Sequence, residues 1–353
     1  MKWANIQSPQ AKIAFAKQEA ELAVSMTGAP CPHSKASFAP GFGSRVLLTV
    51  DTEEEFDWNA PFTRDRHGLE HVAALPRFQA FCEQIGAHPV YLVDWPISND
   101  ARAVEVIGDA VKRGVADIGA QLHPWVNPPF DEELSLHNSF AGNLPRDLER
   151  AKFMALRDQI ERAFGKAPLI YRAGRYGLGR NSANMLKACG ITIDTSVRPL
   201  FDYSAQGGPD YSRHPNRPYW IDEARTLLEA PMTVVHSGML RQLGESIQKT
   251  GARFPSLMGA MARLGLLERI ALTPEGVSIK EAERALKLTI DAKLPLIVLS
   301  FHSPSLVPGF TPYTRTQSDV EALYEWFGEI YTRLSGAGIR SASVAEVVAA
   351  AER

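Results

Sequence analysis

Short apolar runs alternate with segments of helical periodicity along most of the chain. The runs are rich in valine, leucine and isoleucine and are bounded by turn residues, which is typical of buried strands, whereas the segments between them have the apolar spacing of amphipathic helices. The pattern predicts strands at 46–51, 89–93, 116–122, 169–172, 191–195 and 296–301, and helices at 75–85, 102–112, 147–164, 181–187 and 318–334, followed by a short strand at 341–343 and a last helix. This alternation predicts a parallel sheet covered by helices, an α/β fold.

Other parts of the chain do not follow this alternation. Residues 8–28 have the periodicity of an amphipathic helix, and the stretch that follows is rich in glycine, proline and serine. The segment 200–220 has the composition of a long surface loop, and 238–292 is mostly helical in pattern. We therefore expect a helical and irregular extension at 1–44, and then a (β/α) unit at 45–353 with a helical insertion at 238–292.

The composition is that of an ordinary globular protein. The chain has 353 residues, of which 45% are hydrophobic, enough for a large buried core. Its 38 basic and 40 acidic residues give a net charge of −2, so no general attraction to nucleic acid or to an anionic membrane is expected. The cysteines, Cys31, Cys82 and Cys189, are few and far apart, which argues against a disulfide framework and fits a reducing compartment.

Targeting features are also missing from the pattern. No continuous apolar segment resembles a signal peptide or is long enough to span a bilayer. We therefore expect a cytoplasmic protein whose partner is a small molecule or a glycan, and neither a nucleic acid nor a membrane. No feature of the sequence specifies an oligomeric state.

An acidic cluster directly follows the first predicted strand. The apolar run 46–50 leads into Asp51, Glu53, Glu54 and Glu55. Ionised side chains at the end of a buried strand are costly unless they are solvated, paired or bound to a metal, so this cluster is a candidate active site. Asp51 and Glu53 lie on the same side of an extended strand, whereas Glu54 receives no role.

Further polar clusters end other predicted strands: Gln121 with His123, Arg172 with Arg175, and His302. The carboxyl ends of parallel strands meet at one face of a sheet, so these clusters are expected to converge with the acidic cluster. A lone histidine after a strand is more often a structural hydrogen-bonding group than a catalytic one. The prediction of a site therefore depends on the convergence and not on any one residue.

In this order, the clusters resemble the motifs of the polysaccharide deacetylase family, which are NodB-homology carbohydrate esterases of the family 4 type, and especially its cell-wall-associated WalW-like branch. The matching segments are DTE at 51–53, QLHPW at 121–125, YRAGRYG at 171–177 and SFHSP at 300–304. The resemblance implies a distorted (β/α) barrel. It also implies hydrolysis of a non-peptide amide C–N bond, namely metal-dependent N-deacetylation of an amino sugar or polysaccharide.

The resemblance implies a role for each motif residue. Asp51 would act as the general base and His302 as the general acid, and Arg172 would hold Asp51 ionised and oriented. Glu53 and His123 would bind a divalent metal, with zinc as the expected ion. Such a metal lowers the pKa of a bound water and polarises the amide carbonyl.

The metal motif departs from the family pattern, in which a pair of histidines precedes a proline. In one register Gln121 occupies the first histidine position, and in the other Asn127 occupies the second, followed by Pro128. Amide oxygens are poorer zinc ligands than imidazole. Beside the metal-dependent deacetylase, two alternatives therefore stay open: a metal-free amidohydrolase, and a non-catalytic barrel that binds a glycan or a partner protein.

Several residues near the motifs are candidate substrate contacts. Trp125 and Tyr176 offer rings that stack on sugar faces, although such rings also simply fill the top of a barrel. Arg175 belongs to the arginine motif, Asn138 lies in the loop after the histidine motif, and Asp194 ends a predicted strand. As an alternative to a substrate contact, Asn138 has the role of a turn residue, and Asp194 has the role of a turn residue or a helix cap. In the cytoplasm, a soluble amino-sugar precursor is a more plausible substrate than polymeric cell wall.

Overall fold

The structure is a computed structural model that describes residues 26–58, 60–244, 260–261 and 264–353. The helix expected at 8–28 lies almost wholly outside these residues. The strands are β1 (Arg45–Thr52), β2 (Pro89–Val93), β3 (Asp117–Leu122), β4 (Ile170–Ala173), β5 (Ile193–Asp194), β6 (Tyr219–Trp220), β7 (Leu228–Glu229), β8 (Val234–Ser237), β9 (Glu268–Ala271), β10 (Leu296–His302) and β11 (Arg340–Ser341). The described α-helices are α1 (Leu75–Ile85), α2 (Trp95–Asn99), α3 (Ala101–Lys112), α4 (Arg146–Phe164), α5 (Ser182–Ala188), α6 (Ile279–Asp291), α7 (Gln317–Gly336) and α8 (Val344–Ala350). In this part of the chain, no helix has both the length and the apolar character needed to cross a membrane.

Most of the strands form one sheet. Strands β10, β1, β2, β3, β4, β5 and β7 pair in parallel in this order, β6 pairs antiparallel with β7, and β11 pairs with β1. Strands β8 and β9 form a separate antiparallel pair. The last long strand therefore lies beside the first, which is the strand order of a (β/α) barrel.

In the described residues, the barrel closes between β7 and β10 through single hydrogen bonds and not through a strand pair. The backbone N–H of Thr233, after β7, donates to the Val298 carbonyl on β10 at 3.1 Å, and the Val298 N–H donates to the Thr233 hydroxyl at 2.8 Å. On the same strand, the Ser300 N–H donates to the Leu272 carbonyl at 3.4 Å. The expected distorted (β/α) barrel is confirmed.

Alternation along the strands decides which side chains face the barrel interior. On β1, Leu48 and Val50 belong to the large core shared with the helices, whereas Leu47 belongs to a smaller core inside the barrel. Because successive side chains of a strand point to opposite faces, Thr49 and Asp51 share the inner face with Leu47.

Strands β10 and β4 show the same pattern. On β10, Leu296 and Val298 belong to the inner core, so His302 also faces inward. On β4, Ile170 belongs to the inner core, and Arg172 follows it on the same face. The barrel interior is therefore apolar at the amino ends of these strands and polar at their carboxyl ends.

The predicted elements match the structure better in the main alternation than outside it. Helix α1 and strand β2 begin and end at the predicted residues. Helix α2 and the short strands β6 to β9 were not predicted. The segment 238–292 contains strand β9 as well as helix α6 in its described part, while residues 245–259 lie outside the described residues. The lead-in before β1 packs against the barrel, with a bridge between Lys35 and Tyr219 and another between Phe38 and Ala351.

Candidate active site

A cavity of about 480 Å³ lies at the carboxyl ends of the parallel strands. All of the polar clusters singled out from the sequence contribute to it. The polar lining includes Asp51, Glu53, Gln121, His123, Arg172, Arg175, Arg198, Gln206, Glu275, Ser300 and His302, and the aromatic lining includes Phe56, Trp58, Phe62, Trp125, Phe140, Tyr176, Tyr203 and Tyr313. Residues that are far apart in the sequence therefore meet at one site.

Arg172 is fully buried beneath this cavity. Its Nη1 donates to the Asp51 carboxylate and to the Ser300 hydroxyl, the latter at 2.6 Å. Its Nη2 donates to the hydroxyls of Thr49 at 2.9 Å and Thr195 at 3.3 Å, and its Nε donates to the Thr195 carbonyl at 2.9 Å. Every N–H of the guanidinium thus has an acceptor, so the cation is fixed and orients Asp51.

His302 faces Asp51, with its Nε2 3.7 Å from Asp51 Oδ2. Its Nδ1 lies 2.7 Å from Glu275 Oε2, and its backbone N–H donates to Glu275 Oε1 at 3.1 Å. Burial by itself favours the neutral imidazole, but the carboxylates of Glu275, Glu53 and Asp51 outweigh it and raise the pKa of this imidazole to about 10. The ring is therefore held as a cation that can donate a proton from Nε2.

Sequence reasoning missed Glu275. This residue follows β9, in a segment whose pattern predicted helices, and belongs to none of the motifs. Its Oε1 also accepts a hydrogen bond from the Ser305 hydroxyl at 2.5 Å. The local sequence, Pro274 before it and Gly276 after it, indicates a turn but nothing about the partner of that turn.

His123 follows β3 and is held in place by Glu54. Its Nδ1 lies 2.8 Å from Glu54 Oε2, and the Trp125 indole N–H donates to Glu54 Oε1 at 2.6 Å. The other ring nitrogen, Nε2, lies 3.4 Å from Glu53 Oε2. Burial lowers the pKa of His123 to about 4, so the ring is neutral and keeps a lone pair for a metal. A carboxylate on the second nitrogen is the usual arrangement around a metal-binding histidine.

Glu54, which received no role from the sequence, belongs to a buried group behind His123. The Glu54 backbone N–H donates to Asp94 Oδ2 at 2.7 Å, and Asp94 Oδ1 caps helix α2 by accepting the Ile97 N–H at 2.9 Å. Burial raises the pKa values of both carboxyls. Glu54, Asp94 and His123 place ligand-type atoms within 4.8 Å of one another, but neither carboxyl lines the cavity.

The two amide side chains at expected histidine positions differ in location. Gln121 lines the cavity, and its buried Oε1 accepts no hydrogen bond from the described residues. Asn127 does not line it, and its amide donates to the Lys152 carbonyl at 2.8 Å. The cavity therefore offers an orphaned amide oxygen, the Glu53 carboxylate and the Nε2 of His123. Such oxygen and imidazole donors fit a divalent cation.

The expected substrate contacts are only partly at the cavity, which is lined by Trp125, Arg175 and Tyr176. Asn138 and Asp194 are not among the lining residues. The Asn138 amide donates to the Glu133 carbonyl at 2.9 Å, and Asp194 accepts the N–H and the hydroxyl of Ser196 at 3.0 and 2.7 Å. Local turn hydrogen bonds thus occupy both side chains.

The turn after β4 places two of these contacts. A Cβ at Gly174 would lie 2.6 Å from the Leu122 carbonyl oxygen and still closer to the His123 ring, so only glycine fits. Arg175 and Tyr176 have φ angles of 55° and 60°, in the left-handed region that side chains other than glycine rarely adopt. Such strain persists where the surroundings fix it and is common at functional sites.

An aromatic surface borders His302. The Trp58 ring lies edge-on to His302 at 5.0 Å between centroids and to Tyr313 at 5.8 Å, and it stacks on Phe56 at 5.6 Å. Trp58 is 36% exposed. An exposed indole face beside a proton donor suits the apolar face of a sugar ring.

Neither a protein-family model nor a curated protein matches this sequence. Among solved structures, a candidate polysaccharide deacetylase from Mycobacterium smegmatis is 16% identical with a TM-score of 0.49, over 90% of this chain and 93% of that chain. A family 4 carbohydrate esterase from Streptomyces lividans, in complex with acetate, is 12% identical with a TM-score of 0.42, over 88% of this chain and 97% of that chain. A CE4 family pseudoenzyme from Bacillus anthracis is 11% identical with a TM-score of 0.42, over 87% of this chain and 66% of that chain. Similarities of this size do not distinguish an enzyme from a pseudoenzyme.

Proposed function

We propose that the protein is a hydrolase that removes the N-acetyl group of an amino sugar with the help of a divalent metal. One observation carries this proposal: a carboxylate fixed by a cation, Asp51, and an imidazole fixed by a carboxylate, His302, face each other at 3.7 Å in one cavity. Amide hydrolysis needs a base that takes a proton from water and an acid that protonates the departing amine. A site that only binds a sugar needs neither.

Each residue of this pair has a free atom directed at the other. Arg172 binds Oδ1 of Asp51, which leaves Oδ2 to accept the proton of the attacking water. Glu275 binds Nδ1 of His302, which leaves Nε2–H to donate to the amide nitrogen as the C–N bond breaks. Arg172 and Glu275 are therefore positioning residues for the base and the acid.

Glu53 and Gln121, through their side-chain oxygens, and His123, through Nε2, are the residues that would hold the metal, and we propose zinc. When bound, the ion lowers the pKa of a water and polarises the carbonyl. Glu54 keeps His123 in the tautomer that presents Nε2. Because Gln121 offers an amide oxygen where the family has imidazole, we expect weaker zinc binding than a histidine pair provides.

The proposed substrate is a soluble amino sugar and not a polymer. The cavity volume of about 480 Å³ lies in the range of small-molecule sites. The cytoplasmic location and the relationship to the cell-wall-associated branch stay predictions from the sequence.

A second candidate function is favoured by one observation, the amide of Gln121 at a histidine position. In that case the barrel binds an acetylated glycan without a metal and without turnover. A metal-free amidohydrolase that uses Asp51 and His302 lies between the two. Metal content and turnover together separate these three functions.

The first experiment measures metal by elemental mass spectrometry in protein purified without chelator, and acetate released from N-acetylglucosamine. The variants are His123→Ala, Asp51→Asn and, as a matched control, His33→Ala, because His33 is exposed on the lead-in segment. We expect near-stoichiometric metal in wild type and His33→Ala and loss of metal in His123→Ala. Asp51→Asn should lower turnover by a factor on the order of 10²–10⁴, the usual size for removal of a general base.

Two results would contradict the proposal. Turnover that survives both metal removal and His123→Ala supports the metal-free amidohydrolase. Binding of the sugar without acetate release, in protein reloaded with zinc, supports the binding barrel.

A further inference from the structure

One wall of the cavity carries a guanidinium that has no charged partner among the described residues. Arg198 lines the cavity, and its one hydrogen bond to the described residues runs from Nη1 to the neutral Tyr203 hydroxyl at 3.3 Å. Its Nε is buried and has no acceptor in the described part of the chain. The guanidinium otherwise lies 3.9 Å from the Phe201 ring centroid and 5.4 Å from that of Tyr176. Arg198 is therefore a half-buried, cavity-lining cation with donors that the described residues do not use.

A second guanidinium on the same wall also has only neutral partners in the part of the chain that the structure describes. Arg175 donates to the Ser139 hydroxyl and, at 2.7 Å, to Gln206 Oε1. It lies 4.2 Å from the Phe140 ring centroid. Among the described residues, neither Arg175 nor Arg198 forms a salt bridge with a carboxylate, in contrast to Arg172. The strained backbone at Arg175 places it at the cavity in spite of this cost.

A third arginine adds positive charge behind this wall. The Arg269 guanidinium lies 3.6 Å from the same Phe201 ring centroid that Arg198 contacts, and it donates to the Leu200 carbonyl at 2.7 Å. Two guanidinium groups at one ring repel each other unless an anion lies nearby. The protein therefore concentrates positive charge here without supplying the compensating negative charge from the described residues.

The two arginines of this wall come from strands other than those that carry the hydrolytic pair. Arg175 follows β4 and Arg198 follows β5, whereas Asp51 and His302 end the adjacent strands β1 and β10. Among the described residues, Arg175 and Arg198 form no hydrogen bond or ion pair with Asp51 or His302, whereas Arg172 on β4 reaches Asp51 across the barrel. One ligand that spans the cavity can therefore present different groups to the two places.

We propose that the substrate carries an oxyanion, a carboxylate or a phosphate, that binds Arg198 and Arg175 while its N-acetyl group lies between Asp51 and His302. The position of the N-acetyl group rests on the proposed deacetylation, whereas the oxyanion site does not. Arginine is the residue best suited to such a group, because its planar fork of donors matches the oxygens of carboxylate and phosphate. The class of substrate is then an acidic or phosphorylated N-acetylamino sugar.

The test compares three sugars that share the N-acetyl group: N-acetylglucosamine, N-acetylglucosamine 6-phosphate and N-acetylmuramic acid. Calorimetric binding and acetate release are both measured on the metal-loaded protein. We expect at least one anionic sugar to bind about tenfold or more tightly than the neutral sugar, and Arg198→Met to weaken that sugar by about 10- to 100-fold, the usual effect of losing a charge-assisted hydrogen bond. The same variant should weaken the neutral sugar far less, because that sugar has no oxyanion.

Arg217→Met is the matched control, because it removes the same charge at a site outside the cavity. Within the described residues, the Arg217 guanidinium also binds neutral acceptors only, the carbonyls of Ala292 and Lys293. Arg198→Lys should recover part of the affinity for the anionic sugar, and thermal unfolding shows whether each variant folds. Of the two anionic sugars, the one that binds more tightly identifies the oxyanion as phosphate or carboxylate.

The outcomes separate this inference from the deacetylation. Arg198-dependent binding of an anionic sugar without acetate release supports the oxyanion site and contradicts the proposed function. Acetate release at equal efficiency from all three sugars, unchanged in Arg198→Met, overturns the oxyanion site and leaves the proposed function intact. Equal binding of the neutral and anionic sugars also overturns the oxyanion site.

Discussion

Removal of the Arg172 cation should destabilise the protein more than most single substitutions. Arg172→Met takes away the positive charge that the Asp51 carboxylate faces, and Asp51 is only 1% exposed. Breaking a buried ion pair by removal of one partner costs about 3–5 kcal/mol. Asp51 would then keep as its counter-charge the more distant His302 imidazole, whose Nε2 lies 3.7 Å from Oδ2. The hydroxyls of Thr49 and Ser300 lose their donor as well. Against a typical total stability of about 5–15 kcal/mol, the variant should fold but unfold at a much lower urea concentration.

A double-mutant cycle tests the cause. In the wild-type background, Asp51→Asn should destabilise, since it leaves Arg172 buried without a counter-charge. In the Arg172→Met background, the same change should cost about 1–3 kcal/mol less than in wild type, because the carboxylate that it removes has already lost the guanidinium as its partner. Urea unfolding at pH 7 measures all four proteins. Arg113→Met, which breaks exposed pairs with Glu83 and Asp109, serves as the control and should lower the urea midpoint far less than Arg172→Met does. If Asp51→Asn costs the same in both backgrounds, the reasoning about the buried pair is refuted.

Three further outcomes are expected. Glu54→Gln should weaken metal binding by about 10- to 100-fold in a chelator competition, since it removes the carboxylate that holds Nδ1 of His123, and unchanged affinity would contradict that role. Burial raises the pKa of Glu149 from 4.5 to about 7, so the folded protein keeps a proton that the unfolded chain loses. The free energy of unfolding should then fall by about 3 kcal/mol as the pH rises from the pKa of Glu149 in the unfolded chain to its pKa in the folded protein. Urea unfolding at about pH 5 and about pH 8 measures this dependence, which Glu149→Gln should flatten. Gly174→Ala should cost about 1–3 kcal/mol and shift the His123 ring, which calorimetry and metal affinity measure together.

The placement of Asp51, His302 and Arg172, the proposed base, acid and positioning residue, can be predicted from the sequence because these residues end regular strands. A strand has a side-chain period of two, so an apolar residue such as Leu47 indicates the face on which Asp51 lies. The same reasoning applies to Val298 and His302 on β10. Convergence at the carboxyl ends then follows from parallel pairing alone.

The rest of the site depends on long-range packing that no local pattern contains. Motif spacing allowed either Gln121 or Asn127 to lie at the cavity. The path of the loop after β3 leaves Asn127 outside the cavity lining. That path is fixed by buried Lys152, whose Nζ donates to the carbonyls of Pro124 at 2.9 Å and Asn127 at 2.6 Å. Glu275 was missed because its contact with His302 arises in an irregular segment, where periodicity carries no information.

The incomplete closure between β7 and β10 has a consequence for how this site can change. Leu272 completes the barrel wall there with one backbone hydrogen bond, and a few residues later the same segment supplies Glu275 to His302. The carboxylate that contacts His302 is therefore supplied from outside the parallel sheet. Substitutions or length changes in this segment can change the environment of His302, the proposed acid, while the strands that carry Asp51, Glu53 and His123 keep their register. The environment of this histidine can therefore change independently of the rest of the proposed site.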